Sequence, residues 1–171
     1  EIMLVRANEA SETVTFHTEL EPITLNVRDF GAFGDGVHDD TSAIQAAILC
    51  CPKNARVLIP KGTYPVTALF LKSDMILELQ ENAVLAGIYD RARTPILPGQ
   101  IEYDNEDGYY NLGSWEGNPI DSFASMITGI HVKNVTICGK GVLDGRADFE
   151  NWWSRPKDKI RAWRPRMIFL N

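Results

Sequence analysis

Trp152-Trp153 and, a little further on, Arg164-Pro165-Arg166 are the residues of this sequence best suited to holding a ligand. An indole offers a flat apolar face for a sugar ring and one N–H for a hydroxyl. Paired indoles also serve to anchor a loop on a protein body, and both uses fit Trp152 and Trp153. A guanidinium takes a carboxylate in a two-pronged fork. Arg164 and Arg166 stand at the entry of the strand-like "RMIFLN", where side-chain positions are fixed, so both are candidates for substrate contact. The basic run they close holds one acid, Asp158, and within it Lys157 and Lys159 read as a solvated loop.

Carboxylates crowd elsewhere, in "DFGAFGDGVHDDTSAIQAAI" from Asp29 to Ile48. Calcium needs six to eight oxygens, and Asp35, Asp39 and Asp40 do not have the alternate spacing and closing Glu of a calcium loop. Gly31, Gly34 and Gly36 match neither a dinucleotide fingerprint nor a phosphate loop, and no lysine follows. The stretch therefore reads as a glycine turn leading into a helix start, with Asp39 and Asp40 placed to favour the helix N-terminus. Asp144, in "VLDG", reads as a turn residue bonding its own backbone.

Bulk properties narrow the partners. A net charge of −6 gives no reason to expect nucleic acid or an anionic membrane. No apolar run approaches the roughly 18 residues of a membrane span. Cys50, Cys51 and Cys138 read as free thiols, since adjacent cysteines pair poorly. His17, His38 and His131 are scattered without zinc-site spacing, so no metal is expected.

The elements that must position these residues are mostly strands. "IMLVRA" and "ETVTFHT" are strand-like, the second alternating with Val14 and Phe16 on one face, and "ELEPI" reads as a linker. Asn26–Phe30 reads as a short strand. A helix is expected over about 41–51, with Ile44, Ala47, Ile48 and Cys51 on its apolar face, Ser42 to Gln45 forming a capping box and Pro52 ending it.

Three later segments repeat: "VLIPKGTY" (57–64), "LELQENAV" (77–84) and "VTICGKGV" (135–142). Each places apolar residues at positions 1, 3 and 8, namely Val57, Ile59, Tyr64; Leu77, Leu79, Val84; and Val135, Ile137, Val142. "VLAG" and "VLDG" extend the last two in parallel. Short strands separated by polar turns, recurring in this way, are the signature of a parallel β-solenoid. Residues 88 to about 125 form an aromatic, acidic insertion, expected on one face and able to wall off one end of a cleft.

"NVRDFGAFGDGVHDDTSAIQAAI" and "ARVLIPKGTYPVTALFLKSDMILELQENAVLAG" resemble the opening and first coils of the pectin-degrading β-helix superfamily. "NVTICGKGVLDGRADFENWW" followed by "RPRMIFLN" is similar to glycoside hydrolase family 28, its bacterial polygalacturonase and exo-polygalacturonase branch. The resemblance implies a mainly β fold, a right-handed parallel β-helix (solenoid) with an N-terminal capping α-helix. "SETVTFHTELEPITLNVRDFGA" also resembles the end of a fibronectin-III-like module found ahead of some of these enzymes, which implies residues 1–22 to be the remnant of a preceding β module and linker. Residues 23–171 would be the N-terminal coils, truncated at their C-terminal end.

The activity implied is inverting hydrolysis of α-1,4-galacturonide bonds in pectin by two carboxylates, with no metal or organic cofactor. The family's aspartate motifs are absent from this sequence, so the resemblance places no catalytic residue here and expects them beyond Asn171. Arg164, Arg166, Trp152 and Trp153 are then the candidate contacts to an acidic polysaccharide or oligogalacturonide. A secreted or periplasmic setting is favoured by the substrate, a bacterial cytoplasm remaining compatible; oligomeric state is not encoded legibly. A pectate or pectin lyase on the same fold, or a non-catalytic tailspike-like glycan binder, is the alternative.

Overall fold

A computed structural model describes residues 2–4, 12–14, 21–104 and 106–171 of the chain. Strands β1 (Ile2–Leu4) and β2 (Glu12–Val14) pair antiparallel, Ile2 opposite Val14. Phe16, His17 and the start of the expected linker lie outside the described residues.

The next strand, β3 (Thr24–Asn26), is followed by a 3-10 turn over Val27–Phe30, which replaces the strand expected at Asn26–Phe30. The side chain of Asn26 accepts from the Arg28 N–H at 3.0 Å and so draws the chain into a turn. Gly31 closes it in the left-handed region, its N–H donating to the Arg28 carbonyl at 3.1 Å.

Helix α1 (Thr41–Cys50) buries Ile44, Ala47 and Ile48, with Cys51 beneath, on the face that periodicity indicates. The capping box does not form. Thr41 already begins the helix, so Ser42 lies inside it; Asp39 accepts from the Thr41 N–H at 2.9 Å and from its hydroxyl at 2.6 Å. Asp40 is buried and turns the other way, its carboxylate accepting from the N–H groups of Phe33 (2.6 Å) and Gly34 (3.0 Å).

Strands β4 (Ala55–Ile59), β5 (Gly62–Val66), β6 (Leu69–Phe70), β7 (Met75–Leu79) and β8 (Ala83–Gly87) follow in quick succession. Then comes the insertion, with β9 (Ile96–Leu97), β10 (Gln100–Glu102), β11 (Tyr109–Asn111), β12 (Ser114–Trp115), β13 (Asn118–Pro119) and β14 (Ser122–Phe123). The chain ends through β15 (Ile127–Gly129), β16 (Val135–Gly139), β17 (Val142–Asp144) and β18 (Ile168–Leu170). The molecule is mainly β with a single α-helix among the described residues.

Three sheets are parallel throughout: β3–β4–β7–β16, β5–β8–β17 and β6–β15–β18. The chain visits them in rotation, so each winding gives one strand to each sheet. Inward residues stack from one winding to the next. Val57, Leu77 and Ile137 share one row, and Tyr64, Leu85 and Leu143 another. Fully burying a Val, Ile or Leu stabilises by about 1.5–3 kcal/mol, and the rows form one core with Val27, Ile44 and Ile48.

Two details of the repeat are corrected by this register. Val135 lies beside Met75 rather than Leu77, so the third copy is displaced by two residues on its first strand. Val84 and Val142, taken as the inward eighth position, face outward; Leu85 and Leu143 point in. The turn before β8 is a residue longer than the turn before β5, and a one-residue slip exchanges the faces of a strand. "VLAG" and "VLDG" do stack in register, Val84 on Val142 and Ala86 on Asp144.

Each strand of the first winding would have an open edge, and each is covered. β3 covers β4. The turn 34–40 covers β5: Gly36 N–H donates to Thr63 O (2.8 Å), Thr63 N–H to Gly34 O (3.0 Å) and Asp40 N–H to Pro65 O (2.8 Å). α1 covers β6 with side chains, Gln45 bonding both backbone groups of Phe70 and the Thr41 hydroxyl accepting from the Thr67 N–H at 3.0 Å.

Candidate carbohydrate-binding cleft

Every winding has the same corner, where the chain passes from the β5–β8–β17 sheet to the β6–β15–β18 sheet. The first winding crosses it at Thr67, the second through the whole insertion, the third through residues 145–167. Because windings stack, these connections are neighbours, and between them lies a cavity of about 130 Å³. Gly87, Ile88, Thr94 and Met126 line one side; Gly145, Ala147, Trp152, Trp153 and Arg164 to Met167 line the other. All four residues singled out from the sequence thus meet at one cavity.

They are not equivalent. Trp152 is buried and packs edge-on against Tyr89 and Phe123, each ring centroid 5.2 Å away. It anchors the loop 145–163 and floors the cavity. Trp153 is 44% exposed. The Arg164 guanidinium carbon lies 4.2 Å from the Trp153 ring centroid and 6.0 Å from that of Trp163, within cation–π range of both. Among the described residues Arg164 has neither an ion-pair nor a hydrogen-bond partner. Arg166 is exposed, lies over Phe169 at 5.2 Å and donates to the Leu112 carbonyl across 3.5 Å, so part of its donor set is turned to the insertion.

No carboxylate lines the cavity, which makes it locally positive in a chain of net charge −6. The acidic residues of the opening stretch are occupied elsewhere. Asp35 accepts from the N–H groups of Val37 (2.9 Å) and His38 (3.0 Å) and pairs with the His38 ring at 2.7 Å. The backbone donors of His38 and Val37, then the His38 ring, hold its carboxyl well below the usual carboxylate range. Asp39 pairs with Arg93. Asp144 accepts from the Arg146 N–H at 3.0 Å, a turn bond. Cys50, Cys51 and Cys138 are free, and burial pushes the Cys51 thiol up. Among the described residues no group of three or more His, Cys, Asp or Glu is arranged to hold a metal ion. No helix among them is long and apolar enough to cross a membrane.

Sequence reasoning missed Arg91 and Trp163. Arg91 ties the insertion to the loop 145–163, donating at 3.3 Å to the carbonyls of both Ile160 and Trp152. Trp163 stacks on Trp115 at 5.8 Å. No local spacing marks either residue, because each acts on a partner distant in the chain. The insertion also reaches the far end of β18: the Tyr110 hydroxyl donates to the Asn171 side chain, and Tyr103 stacks on His131 at 4.0 Å.

Comparison with known proteins places this architecture. Residues 24–147 match the family described as "Rhamnogalacturonase A/epimerase, pectate lyase-like". The exo-poly-alpha-D-galacturonosidase of Dickeya chrysanthemi is 38% identical over 148 residues, 86% of this chain and 23% of that protein. The family 28 exopolygalacturonase of Yersinia enterocolitica superposes with a TM-score of 0.62 at 39% identity, covering 77% of this chain and 22% of the other. The hyperthermoactive exopolygalacturonase of Thermotoga maritima gives 0.64 at 30% identity, over 82% and 30%. The chain spans under a third of the length of each of these relatives, and the resemblance to family 28 read from its motifs stands over that part. The cleft between stacked corners is therefore carried by a chain that belongs to the rhamnogalacturonase A/epimerase, pectate lyase-like family.

Proposed function

We propose that the protein carrying this chain hydrolyses α-1,4-galacturonide bonds of pectin, and that the cleft holds a galacturonate unit. One observation carries the reading: a half-buried guanidinium, Arg164, stacked on an exposed indole and without an anionic partner among the described residues, faces a cavity free of acids. A charge in such a setting is stabilised by a ligand carboxylate, and an indole face beside it suits the sugar ring. The likeness to galacturonases supports the substrate class.

In this reading the three parallel sheets are the first coils of a right-handed parallel β-helix. The turn 34–40 and α1 form its cap, and residues 1–22 descend from a preceding β module. Arg164 reads the carboxylate, Trp153 the ring; Trp152 and Arg166 shape the wall. The carboxylate pair that hydrolysis needs is assigned to residues beyond Asn171. One acid protonates the leaving oxygen while the opposite carboxylate activates water, with inversion at the anomeric carbon. The insertion closes one end of the cleft and favours attack from a chain end; the contact of Arg166, a cavity-lining residue, with the Leu112 carbonyl of the insertion supports this.

The test uses the full protein and two oligogalacturonides, one free and one methyl-esterified. Arg164→Gln should weaken binding of the free acid by about 10- to 100-fold, the equivalent of a hydrogen bond to a charged group, and spare the ester. Equal loss on both ligands, or none on either, would overturn the reading.

A further inference from the structure

We infer that Arg91 is a positioning residue for the cleft: it sets the plane of the Trp152–Trp153 peptide and, through it, the indole on which Arg164 rests. The inference builds on the reading of the cleft just given.

Arg91 does not line the cavity. It is half-buried, on the connection between β8 and β9, and its guanidinium sits in a box of rings. The guanidinium carbon lies 4.7 Å from the Trp152 centroid, 5.5 Å from Phe123 and 5.7 Å from Tyr89. Its edge is spent on main-chain oxygens, Nη1 on Ile160 and Nη2 on Trp152, both at 3.3 Å. The grip is reciprocal, since Arg161 donates to the Arg91 carbonyl. The Arg91 Nε donates to the Tyr89 hydroxyl at 3.4 Å. None of its partners among the described residues is a carboxylate, so the charge is held by ring faces, a phenol oxygen and amide dipoles. A planar fork that stacks and donates in two directions at once is a task for arginine; an ammonium does one or the other.

The loop from 145 to 163 has turns and isolated bridges but no named strand or helix, so tie points decide its shape. The carbonyl that Nη2 holds belongs to the peptide bond leading into Trp153. The N–H of the same peptide donates to the Asp148 carbonyl at 2.9 Å, so Arg91 on the oxygen and Asp148 on the N–H together orient the peptide that carries Trp153, and the Trp153 ring carries Arg164 at 4.2 Å. Ile160, the second tie, fixes the outgoing arm just before Trp163 and Arg164. Arg91 thereby links the insertion to both sides of the carboxylate-reading pair. A mere staple would add stability without setting an indole.

The experiment is a double-mutant cycle in the full protein with trigalacturonate as ligand, read as Kd by calorimetry, with Tm and near-ultraviolet circular dichroism on every variant. Arg91→Lys should weaken binding about tenfold, the scale on which a small misplacement acts, and change the tryptophan dichroism. In a Trp153→Ala background the same substitution should cost clearly less than it does alone, the remainder acting through Ile160 on the Arg164 arm. Arg91→Gln, which keeps two N–H donors, is the second variant should the lysine protein fold poorly, with the same coupling expected. Unaltered binding by a folded Arg91 variant overturns the inference, as does a loss that multiplies with that of Trp153→Ala. Trp153→Ala and Arg164→Gln both binding like the parent would overturn the reading of the cleft, and the inference with it.

Discussion

Gln45 completes the edge of a strand to which it does not belong. From α1 its amide oxygen accepts from the Phe70 N–H at 2.8 Å, and its amide nitrogen donates to the Phe70 carbonyl at 2.9 Å. A neighbouring strand would offer the same two bonds. An open strand edge is a template for pairing with other chains, and a side-chain amide closes this one without extending the sheet. The helix thus does more than bury apolar residues; it ends the β6–β15–β18 sheet chemically.

Gln45→Leu keeps the shape of the side chain and leaves two backbone groups of Phe70 without partners. The loss should be about 1–3 kcal/mol, the penalty for stranded buried polar groups, read from urea unfolding. Light scattering after refolding should rise as well, since the edge is then open.

Gly34→Ala meets the ring of Tyr64. A Cβ there would lie 2.5 Å from Tyr64 Cζ, and φ at Gly34 is +63°. Strain at φ together with the clash should cost roughly 2–4 kcal/mol. The double variant Gly34→Ala/Tyr64→Leu should relieve the steric part, so the two substitutions together should destabilise by less than their sum.

Asp35 supplies an acid-sensitive brace for the turn that covers β5. Its folded pKa is depressed, so its contribution is complete above the ordinary carboxylate value near 4 and fades as pH falls through the folded value. The Tm difference between the parent and Asp35→Asn should be constant near neutrality and shrink on acidification below about pH 4. A difference that grows there would show the sign to be wrong.

At the alkaline end the group to watch is Tyr64. Burial pushes its phenol up, with Arg28 opposing in part, so the unfolded chain ionises first. Stability should decline as pH rises above about 10, and Tyr64→Phe should flatten that limb of the Tm profile.

The paired tryptophans should separate cleanly. Trp152→Ala removes a buried anchor and should cost about 3–5 kcal/mol in chemical unfolding. Trp153→Ala, at an exposed position, should change stability by about 0.5 kcal/mol or less yet weaken binding of an oligogalacturonide.

Much of this protein can be read locally. The face of α1, the period of short strands and the match of "VLAG" to "VLDG" follow from side-chain spacing, because a residue's inward or outward sense repeats within one element. Arg164 and Trp153 could be singled out for a similar reason, since their chemistry is their own, and the structure brings both to one cavity. What spacing did not convey are relations between windings. Ser42 and Gln45 look like a capping box, but Gln45 has a better use opposite Phe70; Val84 and Val142 look inward until a turn of different length reverses their strands. The sequence by itself determined the helix and the short strands that recur in the parallel sheets, and it marked side chains whose chemistry suits an anion or a ring. Only the tertiary structure decided that three corner connections, far apart in the chain, lie side by side to make one cleft, and that Arg91 grips the loop within it. Stacking of windings sets those distances, and no single stretch of residues contains them.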